Sequence, residues 1–172
     1  DRTERQIVFY DRGIGTDTNK ITGNLAGAGF SENLLQCYQF IYENYNAGDK
    51  IYLFGFSRGA ATVRSLANFV HYFGILPKSR PELIKQAYAL YRIGREERKN
   101  EMPEEEKNFL IEQLIEIAEA NPITDVLPRG SSLNERARKF VYEHPNQWAS
   151  IEFLGVWDTV PALGAPGAVI DT

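Results

Sequence analysis

The sequence predicts an α/β fold: three layers, with parallel strands between helices, interrupted by a helical insert. Three observations predict it. Short apolar runs at 6–10, 51–54 and 151–157 have the length and the β-branched or aromatic content of buried strands. Helical spacing follows the first two runs, and the order strand, helix, strand, helix calls for parallel pairing through right-handed crossovers. Between about 81 and 143 the character changes to charged helices without strand signals.

Taken in order, Gln6-Ile7-Val8-Phe9-Tyr10 reads as the first strand, stopped by the turn at Gly13-Ile14-Gly15. Residues 17–29, rich in Gly, Asn and Thr, read as a loop. Ser31 is the expected N-cap of a helix that carries Leu34, Leu35, Tyr38, Phe40, Ile41 and Tyr45 to the stop at Ala47-Gly48-Asp49. Ile51-Tyr52-Leu53-Phe54 is the second strand and runs into Gly55-Phe56-Ser57-Arg58-Gly59. The helix after it closes at Gly74, with Pro77 beyond. Within the insert, helices are expected over 81–93, 104–120 and 133–143, and Ile151–Trp157 returns to strand character.

Size and charge set bounds on function. With 172 residues and 43% hydrophobic content, the chain reads as one domain, 1–172, containing the insert 81–143. A formal charge of −4 offers no basic footprint, which argues against a nucleic-acid partner. No apolar stretch approaches the roughly 20 residues of a membrane span, and no signal segment opens the chain, so it reads as soluble. One cysteine and two histidines exclude a disulfide framework and supply no zinc ligand cluster. Cys37, inside an apolar helical pattern, reads as a small buried hydrophobe.

The chemistry concentrates in Gly55-x-Ser57-x-Gly59. In a nucleophile elbow the serine stands on a strained strand-to-helix turn, and the flanking glycines avoid collisions of a Cβ with neighbouring backbone. The strand before the motif and the small residues Ala60 and Ala61 after it supply the context of an α/β-hydrolase-like fold. The competing reading makes Ser57 a helix cap between two turn glycines. As nucleophile, Ser57 would have the backbone N–H of Arg58 as an oxyanion donor, with Gly13 as a candidate for the second. The Arg58 side chain reads as a partner for a carboxylate supporting the elbow, or else for an anionic head group.

Asp158 ends the last strand and follows the nucleophile in the chain order Ser, Asp, His; otherwise it is a turn aspartate. No histidine follows it here. His71 stands fourteen residues past Ser57, roughly 20 Å along a helix at 1.5 Å per residue, too far to act as its base. His144 reads as a loop residue, although a folded-back insert would bring it nearer.

Tyr10-Asp11-Arg12-Gly13-Ile14-Gly15-Thr16, the stretch from Gly48 to Ala60, Arg64, and Phe153-Leu154-Gly155-Val156-Trp157-Asp158-Thr159-Val160 together resemble the uncharacterised α/β-hydrolase family that includes the type VI secretion lipase effectors. The resemblance implies a Ser-Asp-His esterase without cofactor, with phospholipase activity in secreted members. It also implies an ester or lipid substrate, membrane-surface contact through the insert, and a secretion-system or immunity partner. The protein would be cytoplasmic in the producing cell and exported by a non-classical route. Members usually begin with a strand ending in Asp-Gly-Thr and carry the catalytic histidine beyond Trp-Asp-Thr-Val, so the chain is expected to be an internal fragment with little activity of its own. The alternative is a non-catalytic interaction domain on the same scaffold.

Overall fold

A computed structural model describes residues 5–11, 23–99 and 133–157. The elements run α1 (Gly23–Asn44), β1 (Ile51–Phe56), α2 (Arg58–Phe73), α3 (Leu83–Lys99), α4 (Leu133–Glu143) and β2 (Ile151–Trp157). β1 and β2 pair in parallel, which agrees with the expected parallel strands, although the strand-helix order points to the runs 6–10 and 51–54. This mixture of helices and a parallel sheet is compatible with an α/β fold. The expected helix over 104–120 lies outside the described residues. The chain divides into two compact units, Asp1–Asn68 with Ser150–Thr172, and Phe69–Ala149.

In the first unit, α1 begins eight residues ahead of the expected cap at Ser31. Phe30 is buried four residues before Leu34, so the apolar face formed by Leu34, Tyr38, Ile41, Tyr42 and Tyr45 starts a turn earlier. That tertiary burial outweighs the poor helix propensity of the local glycines, a penalty of about 1 kcal/mol each. The turn after α1 closes through Gly48 at φ 94°.

The run 6–10 departs from expectation, since it carries no strand. Val8 is 76% and Tyr10 81% exposed, and Phe9 instead stacks on Phe40 of α1 at 5.2 Å. Strand propensity is realised only where a ladder partner and a covered face exist, and β-branched composition alone provides neither.

The sheet also differs from the wholly buried strands that the sequence suggests. β1 alternates, with Ile51, Leu53 and Gly55 buried and Tyr52, Phe54 and Phe56 exposed. Ile51 faces Ile151 but Tyr52 faces Phe153, so β2 carries one extra residue, Glu152, at that point. This irregularity places Phe153, Gly155 and Trp157 opposite Tyr52, Phe54 and Phe56, and aromatic side chains collect on one face.

The second unit gathers Phe69, Phe73, Ile75, Leu76, Leu83, Ile93 and Phe140 into a core, each full burial contributing roughly 1.5–3 kcal/mol. Phe69 packs against Phe73 and Tyr91, and Phe73 meets Phe140 edge-on at 5.7 Å. α2 ends as predicted at Gly74, whose φ of 60° a side chain would strain. The Gly74 N–H donates to the Val70 carbonyl at 2.8 Å, and the Asn146 side-chain amide donates to the carbonyl of Phe73.

Candidate active site

β1 ends at Phe56 and α2 starts at Arg58, so Ser57 alone makes the turn. Its φ is 53°, and among the described residues no other non-glycine residue has a positive φ. The left-handed region brings the Cβ of an L-residue against the following carbonyl oxygen, at a cost of roughly 1–2 kcal/mol. A helix-capping serine normally holds extended backbone, so capping alone does not account for this geometry.

Two sets of contacts hold the strained turn. On one side the Ser57 N–H donates to the Trp157 carbonyl at 2.9 Å, and the Ser57 carbonyl accepts from the Ala60 N–H at 3.1 Å. On the other, Gly55 presses on the first turn of α2: a Cβ there would stand 2.5 Å from the Gly59 carbonyl oxygen, 2.7 Å from Ala60 Cα and 2.6 Å from Val63 Cγ2. Gly55 thus does what the elbow pattern demands. Gly59 does not, since a Cβ at that position meets nothing within 4 Å among the described residues.

Relief of the strain should be measurable. Ser57→Gly is expected to raise the unfolding free energy by about 1 kcal/mol, because glycine adopts this φ without a Cβ clash. A urea midpoint below that of the parent would mean that the turn stores no strain at Ser57.

Arg58 is exposed and opens α2, where first-turn N–H groups point along the helix axis with no intrahelical acceptor. Gly13 and Asp158 lie outside the described residues. Phe56 pairs with Trp157 in the parallel register, so β1 and β2 end side by side, with Ser57 immediately beyond β1.

The sequence reading missed how the two strand ends are fastened together. Phe54 lies opposite Gly155, between Phe153 and Trp157, with ring centroids 5.5 Å and 6.3 Å away. A Cβ on Gly155 would come within 3.0 Å of Phe54 Cδ1 and Phe153 Cε1 and 3.1 Å of Trp157 Cη2. Such ring pairs contribute about 0.5–1.5 kcal/mol each beyond area burial. The period-two pattern Phe153-x-Gly155-x-Trp157 was the available signal.

His71 is exposed, further along α2, and lies edge-on to Trp148 at 6.1 Å. His144 is a loop residue, as expected, just past the end of α4, and it is buried, 4.8 Å from the Phe140 ring, with its Nε2 enclosed without a hydrogen-bond partner. Burial pushes its pKa below the ordinary 6.5, the nearby Arg80 pushes the same way, and Glu143 and Glu82 pull weakly upward.

The native state therefore binds a proton at His144 less readily than the unfolded chain does. Stability at this site is full above pH 6.5 or so and falls as the pH drops below that value towards the lowered native pKa. Urea midpoints of the parent should decline between pH 7 and 5 more steeply than those of His144→Phe; parallel curves would refute the assignment. Cys37 is half-buried rather than the fully buried hydrophobe expected; burial, then the Asp11 charge, pushes its thiol up to about 11, so it stays protonated at neutral pH.

Among the described residues no helix is long and apolar enough to cross a membrane. No solved structure matches the chain. It is similar to the uncharacterized protein YEL023C of Saccharomyces cerevisiae (strain ATCC 204508 / S288c), at 28% identity over 52% of this chain and 15% of that protein's length. Residues 1–171 match the family described as "T6SS, Phospholipase effector Tle1-like, catalytic domain". The chain belongs to this family of type VI secretion phospholipase effector catalytic domains.

Proposed function

We propose that this domain is a serine hydrolase of the α/β-hydrolase kind that cleaves acyl esters of phospholipids, with Ser57 as nucleophile and Asp158 as the acid of the triad. The observation that carries the reading is the left-handed Ser57 at the turn between β1 and α2, a strain held in place by Gly55 and by the Trp157 carbonyl. Family membership supports a lipid substrate.

In this mechanism Ser57 Oγ attacks the ester carbonyl while an imidazole takes its proton. The oxyanion is held by the Arg58 N–H, with a second donor from the Gly13 turn. Collapse expels the alcohol, which receives the proton from the imidazolium, and water then releases the acid from the acyl-enzyme by the same steps in reverse order. The imidazole is assigned to a histidine C-terminal to Asp158, because His71 lies far along α2 and His144 is enclosed beside Phe140. Asp158 orients that histidine and stabilises its charged form. The insert 81–143 meets the membrane surface, and an immunity protein or secretion component binds the effector.

A fluorophosphonate probe tests the assignment. The full-length protein, with that histidine, should be labelled at Ser57, by peptide mapping, and Ser57→Ala should abolish the label. A parent protein that takes no label, or a label that persists in Ser57→Ala, would sink it, and the former result would favour a non-catalytic interaction scaffold.

A further inference from the structure

We propose that the aromatic group Phe54, Phe153 and Trp157, closed over Gly155, is a positioning device for the nucleophile turn, with Trp157 its key residue. The inference rests on the serine-hydrolase reading above.

Trp157 has two roles that meet at one residue. Its carbonyl accepts the Ser57 N–H at 2.9 Å, so the position of its peptide group fixes the backbone of the one left-handed non-glycine residue among those described. Its indole lies nearly parallel to the Phe54 ring, 13° apart, and Phe54 stands only two residues before Phe56. The carbonyl therefore ties β2 to the turn, and the side chain ties it to the strand that leads into the turn.

This stack exists because residue 155 is glycine. Phe54 faces it directly in the register, and the absent side chain leaves room for three rings to converge. The rings are half or more exposed, at 60% for Phe54, 50% for Phe153 and 55% for Trp157, so among the described residues opening the stack displaces no packed core. A methyl group at 155 would force contacts of 3.0–3.1 Å to open by a few tenths of an ångström, and a larger side chain would part the rings. Stability is then weakly coupled to the stack, while geometry at Ser57 is strongly coupled to it. A displacement near 1 Å at a reacting group costs on the order of 10²-fold in rate.

Gly155→Val, Trp157→Ala and Trp157→Phe in the full-length protein, which carries the histidine assigned above, separate positioning from plain structure. On a short-chain ester, Gly155→Val and Trp157→Ala should lower kcat by about 10- to 100-fold with KM within twofold, and slow fluorophosphonate labelling at Ser57 in proportion. Trp157→Phe, which keeps a ring on Phe54, should recover to within about threefold of the parent. Valine raises strand propensity, so Gly155→Val is expected to keep its melting temperature while losing rate. If Trp157→Ala does not fold, Phe153→Leu removes one exposed ring and should lower kcat in the same direction. Folded Gly155→Val with parental kcat and labelling rate would overturn the inference while leaving the nucleophile assignment intact. A parent protein that takes no label at Ser57 would instead overturn the hydrolase reading, and this inference with it.

Discussion

Gly55→Ala is expected to destabilise the protein by about 3 kcal/mol or more, whereas Gly59→Ala leaves stability within about 0.5 kcal/mol of the parent or raises it. The asymmetry follows from what each new methyl would meet. At position 55 the obstacles are the Gly59 carbonyl oxygen at 2.5 Å and Ala60 Cα at 2.7 Å, both backbone and both locked in the first turn of α2. Neither can swing aside as a side-chain end can, so β1 and α2 must separate at the turn. At position 59 the methyl meets no described atom within 4 Å, and alanine improves helix propensity by about 1 kcal/mol. For a chain of this size, the Gly55 variant should melt roughly 6–12 °C below the parent, by calorimetry or far-ultraviolet dichroism. Equal melting temperatures for the two variants would contradict the packing described for the elbow.

That contrast also marks what the sequence could and could not disclose. The pattern Gly55-x-Ser57-x-Gly59 identified the turn, because an apolar strand before it and small residues after it leave few other structures. It could not distinguish the two glycines, since only the direction of each missing Cβ does so. Both strands, Ile51–Phe56 and Ile151–Trp157, and the parallel sense of the sheet were legible, but not that these two pair, since the partners lie about a hundred residues apart across the insert. The exposed aromatic face was not legible as such. Tyr52, Phe54 and Phe56 are apolar like their buried neighbours, and composition does not say which face a covering layer occupies.

Two departures have the same cause, the dominance of tertiary contacts over local preference. The run Ile7-Val8-Phe9-Tyr10 has strand composition yet meets α1 through Phe9 on Phe40. The Gly-rich start of α1 has loop composition yet is helical, with Phe30 buried near its beginning. His144 is the loop residue that its place before Pro145 suggests, and the edge contact with Phe140 buries its imidazole. Asp158, Gly13 and the 104–120 helix lie outside the described residues, so their roles rest on the functional proposal.

In the full-length protein, which carries the histidine assigned above, Ser57→Ala is expected to lower kcat for ester hydrolysis by roughly 10⁴- to 10⁶-fold while changing stability by less than 1 kcal/mol. The rate falls because Oγ is the attacking atom and no other group at the turn between β1 and α2 can form the acyl-enzyme. The backbone donor at Arg58 survives the change, so a residual rate of about 10³–10⁴ over water should remain. Stability hardly moves because alanine keeps the Cβ that strains the φ of 53°, and it keeps the N–H bonded to Trp157 and the carbonyl bonded to Ala60. Set beside Ser57→Gly, which should lose the same rate but gain about 1 kcal/mol, the pair separates chemistry from strain. Rates on a short-chain ester and on phospholipid vesicles, measured with urea midpoints for both variants, test each half. A kcat within tenfold of the parent for either variant would remove Ser57 from the chemistry. Identical midpoints for alanine and glycine would leave its backbone unstrained and take away the observation on which the hydrolase reading stands.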